Sequence, residues 1–490
     1  MSQGKVIPSN WEETKLGQVL DLEYGRSLPA KKRDNAGYPV YGSNGVVGLH
    51  SKALLEGPAL IVGRKGSIGE VHFSEGPCSP IDTTYFVNRF YGQPPSFWLS
   101  MLGFLPLKEM NRAVALPGLN RSEACGLRLL LPPLKEQQRI AKKIDALQTK
   151  SKKAKAALEA ARPLLDKLRQ SVLVAAFRGV LTADWRKRNT DVEPAVVLLE
   201  RIRVERRKRW EEAELDKMKA KGKEPKDDKW KDKYKEPVPL DTTGLPELPE
   251  GWCWAKVSIV GNVQLGRQRS PKYHSGNHMR PYLRVQNVFE DKIDISDTME
   301  MHFSPLDYEK YRLIPGDILL NEGQSLELIG RPAMYRGEIP GACFTNTLVR
   351  FQSFAGIIPE YSLFLFKYYM HSGRFRKIAQ ISTNIAHLGA ERFANLEFPI
   401  PPFDEQKELV SIIDDLMSRI HRTTKISNKM REKLNSLNES ILAKAFRGEL
   451  IPQDPADEPA SVLLERIRAE RDAQKTVNNP FRGRKRVVTP

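Results

Sequence analysis

What this chain lacks narrows it quickly. Its four cysteines, Cys78, Cys125, Cys253 and Cys343, are scattered with no C-x-x-C pair. Neither a disulfide framework nor a structural zinc site is expected, and reduced, partly buried thiols are. No uncharged apolar run reaches the roughly 18 residues a membrane helix needs, and no basic-then-apolar leader opens the chain. A soluble, cytoplasmic protein is expected. The eight histidines include no H-E-x-x-H. No G-x-x-x-x-G-K-[ST] loop occurs, because Gly63-Arg64-Lys65-Gly66-Ser67 has the wrong spacing, and no G-x-G-x-x-G follows a strand. A nucleotide or S-adenosylmethionine site of either kind therefore has no support.

Two partial matches also fail on chemistry. Ile400-Pro401-Pro402-Phe403 differs from the N-P-P-F motif of amino-methyltransferases at the base-binding Asn, and its counterpart reads Leu131-Pro132-Pro133-Leu134. Glu224-x-Lys226 after Asp216 mimics a nuclease triad, but lies in a charged stretch with no strand to hold metal ligands. The expectation is a chain with no catalytic residues, no metal site and no cofactor of its own.

What is present is charge. The formal net charge is +18 over 490 residues, with a pI near 9.5. An anionic partner is expected, and nucleic acid is favoured over a membrane because no amphipathic anchor with an aromatic face stands out. The length implies three or four compact units.

The chain also repeats itself. Leu131-Pro132-Pro133-Leu134-Lys135-Glu136-Gln137 returns as Ile400-Pro401-Pro402-Phe403-Asp404-Glu405-Gln406, at an offset of 269. Ser171–Gly179 returns as Ser440–Gly448 at the same offset. Glu193-Pro194-Ala195 with Leu198–Arg203 returns at Glu458-Pro459-Ala460 with Leu463–Arg468, four residues closer. Upstream, Trp11 and Trp252, and Gly25-Arg26 and Gly266-Arg267, keep a spacing of 241. A duplication with a preserved frame and divergent loops predicts two equivalent domains that bind different things.

Between the repeats, residues 7–133 and 248–402 read as short strands and turns. Strands are expected at Ala59–Val62, Tyr85–Val87, Asp317–Leu320 and Thr347–Phe351, and helices at Phe97–Met110 and Glu360–Gln380. After each Pro-Pro a heptad stripe runs for roughly 40 residues, about 60 Å. Ile144, Leu147, Leu165, Leu168 and Val172 carry the first stripe, and Ile413, Leu416, Leu434, Leu437 and Ile441 the second. An antiparallel pairing of the two helices would bury both stripes; the alternative is that each packs on its own globular domain. Pro163 is expected to kink the first helix, and Gly179 and Gly448 to cap them.

Residues 201–236 carry 15 Lys/Arg and 10 Asp/Glu, which reads as a solvated helix running into a linker. The expected segmentation is a first globular domain over 1–133, a central helical region with charged linker over 134–236, a second domain over 237–401, a distal helical region over 402–470, and a basic, disordered tail over 471–490. The fold class is α+β, two α/β domains separated by two long helices in a coiled coil with pseudo-two-fold symmetry.

The doubled Pro-Pro-x-x-Glu-Gln junction, the heptad helix and the Ala-Phe-Arg-Gly-x-Leu close resemble the specificity subunit of type I restriction–modification systems, as does Leu-Pro-Glu-Gly-Trp at 248–252. The resemblance covers nearly the whole chain, apart from the long 201–236 segment. It implies two target recognition domains, each reading half of a split, asymmetric DNA sequence, and helices that set the gap and dock two methyltransferase subunits. Restriction and translocase subunits join that core. Adenine methylation and ATP-driven cleavage, with S-adenosylmethionine, ATP and Mg, would belong to those partners.

Base contacts suit polar side chains on Gly-rich loops that approach a groove closely. The candidates are Ser43, Asn44, Arg64, Lys65 and Ser67 in the first domain, and Arg284, Gln286, Asn287, Asn321 and Gln324 in the second. Arg26 and Arg267, at equivalent positions, would hold phosphate or cap local structure. Two other readings stay open: a sequence-independent coiled-coil scaffold for nucleic acid, and a fused single-chain restriction enzyme.

Overall fold

In the computed structural model, the structure describes residues 7–477 apart from 111–117, 221, 223–224, 226 and 383–384. The Glu224-x-Lys226 pattern and the tail beyond Val477 lie outside the described residues. The chain divides into two compact units. One gathers residues up to Ala160 with those from Ile426 onward; the other is Ala161–Lys425.

The globular parts of the two units repeat one topology. In the first, a four-stranded antiparallel sheet runs Glu23–Tyr24, Thr84–Val87, Ala59–Gly63, Val71–Ser74. In the second the order is Gly261–Leu265, Leu348–Ser353, Ile318–Asn321, Pro332–Met334. Tyr38–Gly42 lies between Gly45–His50 and a parallel Ser79–Pro80, as Met279–Leu283 lies between Met299–His302 and a parallel Cys343–Phe344. Each domain is closed by a pair of its end strands, Glu12–Lys15 with Arg128–Leu131 and Cys253–Lys256 with Glu397–Ile400. These pairs keep the 241 and 269 offsets. The four expected strands are therefore present. Fully apolar runs such as Ala59–Val62 are buried on both faces. Of the expected helices, the first is Pro95–Phe104. The second breaks into Pro359–His371 and Arg374–Ile378, because Gly373 adopts a left-handed φ of 77°.

Each long helix starts from a buried polar knot. Pro133 and Pro402 offer carbonyls to the first helical N–H groups, at 2.9 Å from Gln137 N and from Gln406 N. In the first unit the Glu136 carboxylate accepts from the Trp11 indole at 2.9 Å and from Gln453 at 2.8 Å. In the second, Glu405 accepts from Trp252 at 2.9 Å, from Thr182 at 2.6 Å and from Arg186. Burial pushes the Glu136 carboxyl upward, an effect opposed by its two donors. Gln137 and Gln406 donate back to the carbonyls of Pro132 and Pro401. The repeated Glu-Gln is therefore structural.

Gln453 follows the second long helix in sequence, and Thr182 and Arg186 follow the first. Each unit is thus completed by the end of the other repeat. Ile441, Phe446, Leu463, Leu464 and Ile467 share a core with Trp11, Leu60 and Trp98. Leu173, Phe177, Leu198, Leu199 and Ile202 share one with Trp252, Ile318 and Phe351. The helix Ala460–Val477 starts on a bond from Ala460 N to Asn10 O, and Ala195–Ala220 on one from Ala195 N to Gly251 O.

The long helices span Leu134–Phe177 and Phe403–Ala445, and Pro163 lies inside the first without ending it. Gly179 and Gly448 do cap them, with φ of 68° and 77°. The two run antiparallel: in the first unit Ile144 shares a core with Ile441 while Glu159 pairs with Arg431 at 3.2 Å. The stripe is not buried evenly. Ile144, Val172, Ile413 and Ile441 are buried, and Ile144 and Ile413 pack into the α/β cores as well as along the helices. Leu147, Leu165, Leu416 and Leu434 are half-buried. Leu168 and Leu437, equivalent by the 269 offset, are each 49% exposed, which corrects the expectation of a continuous seam. Burial near the helix ends comes from the flanking domain, whose core takes in Ile144 and Ile413.

Two further departures lie at segment ends. The helix Ala460–Val477 runs past the expected start of the tail, and Arg471 is fixed by Asp21 at 2.9 Å and the Gly17 carbonyl at 2.7 Å. The stretch after Ala220 folds back, so that Trp230 stacks on Trp210 at 6.2 Å and Tyr234 packs beside it at 5.3 Å. Among the described residues, no helix is long and apolar enough to cross a membrane.

Candidate nucleic-acid interfaces

The loops carrying the expected contacts come together within each unit. In the first, strand Ala59–Gly63 ends in a turn whose path four backbone bonds define. Arg64 N donates to Thr83 O at 2.9 Å, Leu119 N to Arg64 O at 2.8 Å, Gly63 N to Glu70 O at 2.8 Å, and Gly69 N to Gly63 O at 2.9 Å. The Tyr41–Gly45 turn lies against it: Ser43 O is 3.1 Å from where a Cβ on Gly63 would sit, and Ser43 Oγ is 3.3 Å from that on Gly66.

The second unit builds the same turn. Glu322 N donates to Thr347 O at 3.0 Å, Leu388 N to Glu322 O at 2.8 Å, Asn321 N to Arg331 O at 3.2 Å, and Gly330 N to Asn321 O at 3.0 Å. Val285 N donates to Thr347 Oγ1 at 3.1 Å, which ties the 284–287 loop to the same floor. Gly69 and Gly330 both take φ of 70°, a conformation glycine adopts without a Cβ clash.

The side chains on these frames differ. In the first unit Arg64 donates to Asp82 O at 3.0 Å and lies 5.0 Å from the Tyr24 ring centroid and 5.8 Å from that of Tyr85. Arg121 covers Tyr24 at 5.8 Å. Together with Lys65, Asn120 and Ser122 they line an open cleft of about 840 Å³ with no carboxylate among the described residues of its wall. Burial pushes the Tyr85 phenol up to about 12, so it stays a neutral donor, here to Leu119 O at 2.9 Å. Asn44, Lys65 and Arg26 are exposed and Ser67 is half-buried. Ser43 is largely buried, with His72 Nε2 3.3 Å from its carbonyl oxygen.

In the second unit several expected contacts are corrected to internal roles. Asn287 and Asn321 are 2% and 0% exposed. Asn287 holds the carbonyls of Asp294 and Asp297 at 2.9 Å, and Asn321 reaches Val288 O at 3.4 Å. Asn287 spends both amide hydrogens on its own loop, and Asn321 is kept from a base edge by its burial. Arg267 is also interior, paired with Asp307 at 3.0 Å, bonded to His302 O, and 3.9 Å from the Tyr273 ring centroid. The spacing shared by Gly25-Arg26 and Gly266-Arg267 has a backbone cause. Arg26 N and Arg267 N donate to Pro80 O and Phe344 O at 3.0 and 3.1 Å. Arg284 is held by Asp297 at 2.6 Å beside an exposed Gln286, and the Gln324 carbonyl accepts from Ser325 N at 3.1 Å.

The sequence candidates did not include Tyr24, Asn120, Arg121 or His387, while Glu322 lies in the Asn321–Ser325 loop that supplied two of them. The 269 offset also relates Leu119 to Leu388, and the residues beside these leucines, together with the neighbours of Gly63 and Asn321, are the signal the sequence offers.

Comparison with known proteins agrees with this doubling. The family model of the type I restriction modification DNA specificity domain matches residues 8–160 and 251–432. The chain is 24% identical over 489 residues to the type I restriction enzyme EcoDI specificity subunit of Escherichia coli, covering 96% of this chain and 98% of that one. Its fold is similar to a chain solved in work on complex assembly and conformational transition of the type I R-M system, with a TM-score of 0.59 at 16% identity over 91% of this chain and 100% of that one. It is also similar to the HsdS subunit of Thermoanaerobacter tengcongensis, with a TM-score of 0.54 at 16% identity over 92% and 100% of the two chains. With that domain present twice on one shared backbone frame, the chain belongs to the type I restriction modification DNA specificity family.

Proposed function

We propose that this chain is the non-catalytic recognition subunit of a type I restriction–modification complex, reading a bipartite, asymmetric duplex DNA sequence with one half-site per unit. The observation that carries this reading is the repeated turn: one backbone cradle built twice, with different side chains at its tip. A frame kept constant while its tips diverge is what reading two different half-sites requires. Phosphate neutralisation by Lys and Arg supplies raw affinity that falls steeply with salt, and base-edge contacts from the loops supply discrimination.

On this reading the long helices and the segments that follow them dock two methyltransferase subunits, and restriction subunits join that core in the cytoplasm. S-adenosylmethionine, ATP and Mg are bound by the partners. The helices also set the spacing of the half-sites, on the order of one DNA turn, roughly 34 Å.

Methylome sequencing of a host carrying this chain with its methyltransferase tests the proposal. The expected result is a split motif with two unlike halves. Exchanging residues 9–130 for another such domain should change one half only, and deleting one heptad from both helices should change the spacer and leave both halves intact. Equal affinity for all duplexes would instead establish a sequence-independent scaffold. S-adenosylmethionine binding by the isolated chain would favour a fused enzyme.

A further inference from the structure

Arg64 and Glu322 occupy the same place in the two units. Three backbone bonds in each unit fix the equivalence: the N–H groups bond Thr83 O and Thr347 O, the carbonyls accept from Leu119 N and Leu388 N, and the preceding residues, Gly63 and Asn321, are closed by Gly69 and Gly330. Their strand registers agree, with Gly63 opposite Thr84 and Asn321 opposite Leu348. The side chains have opposite charge.

The surroundings differ in the same sense. Arg64 faces the cleft with Lys65 and Arg121, its guanidinium spread against Tyr24 and Tyr85, and no described residue of the cleft wall is a carboxylate. The facing residue across the isolated bridge is Gly118, next to Lys65. In the second unit that facing residue is His387, opposite Gly323. Its Nδ1 lies 3.0 Å from the Glu322 carboxylate. The positions of Tyr24 and Arg121 become Leu265 and Ala390 at the 241 and 269 offsets. One site is built of donors and cations; the other centres on a hydrogen-bond acceptor.

We infer that positions 64 and 322 are the matched specificity-determining positions of the two domains, Arg64 reading a guanine edge and Glu322 the exocyclic amino group of a cytosine or adenine. This rests on the proposed reading of one half-site per unit. A guanidinium matches the paired O6 and N7 acceptors of guanine, and a carboxylate accepts from an N4 or N6 amino group. A preorganised fork held against aromatic rings loses little freedom on binding, which suits Arg64 to this task.

The test uses the full chain assembled with its methyltransferase partners, with methylome sequencing and duplex binding over a salt series as readouts. R64A should relax one position of one half-site, with discrimination there falling roughly tenfold to a hundredfold. E322A and E322Q should each relax or alter one position of the other half-site. In every variant the half-site of the untouched domain remains required, and this shows that the complex has folded and assembled. If R64A instead weakens binding to all sequences alike and lowers the salt slope by about one, Arg64 holds a phosphate and the inference fails. It fails equally if both half-sites are unchanged. A parent protein with no bipartite motif would overturn the underlying reading, an outcome separate from these.

Discussion

Gly25 and Gly266 have no room for a side chain: a Cβ would lie 2.1 Å from Ile81 O and 2.2 Å from Thr345 O. Gly25→Ala and Gly266→Ala should therefore each push the backbone crossing apart and cost about 3 kcal/mol, read as a drop in urea midpoint. An unchanged midpoint would mean that the strand crossing has room for a methyl group. Asp34 is a gentler case. The Ser51 hydroxyl, then backbone N–H groups of Ala36 and Ser51 and the charge of His50, hold its carboxyl down to about 2 from an ordinary 3.8. A carboxylate lowered on folding adds stability above its unfolded value, and loses it as pH falls toward the folded one. Relative to Asp34→Asn, the parent should be more stable at pH 5, with the difference shrinking below about pH 4 and lost as pH falls through about 2. Thermal melts across that range check the sign.

At the scale of elements, the starts of the long helices depend on one buried carboxylate each. Glu405→Ala leaves the Trp252 indole, the Thr182 hydroxyl and Arg186 without their acceptor. Removing one member of a buried charged cluster typically costs about 3–5 kcal/mol, so hydrogen exchange should accelerate around Phe403–Leu409 in that variant. Protection equal to the parent would rule out the knot as the helix anchor. The Pro-Pro-x-x-Glu-Gln repeat was visible in sequence as a junction, but its carboxylate partners lie 125 and 153 residues away. Heptad spacing located both long helices; it did not show which positions are covered, because cover comes from the domains and not from the stripe.

For the whole molecule, the exchange of closing segments has a measurable consequence. Ile467 lies near the end of the chain yet is fully buried with Trp11, and Leu198 is buried with Trp252. Ile467→Ala should destabilise the unit that contains Trp11 by about 2–5 kcal/mol, and Leu198→Ala the unit that contains Trp252. Exchange mass spectrometry resolves the two. A loss confined to the sequence-adjacent domain in either variant would contradict this organisation.

The duplication, its offsets, the two central strands of each four-stranded sheet, the long helices and their glycine caps were legible in the chain, because local patterning and repetition are properties of sequence order. The tertiary structure alone decided which end completes which unit, and that Asn287, Asn321 and Arg267 turn inward. It also showed that Arg64 and Glu322 hold equivalent places, each in its own unit, despite loops of unequal length. Those outcomes depend on contacts between residues far apart in the chain, where burial and backbone hydrogen bonding decide what a polar side chain has left to offer.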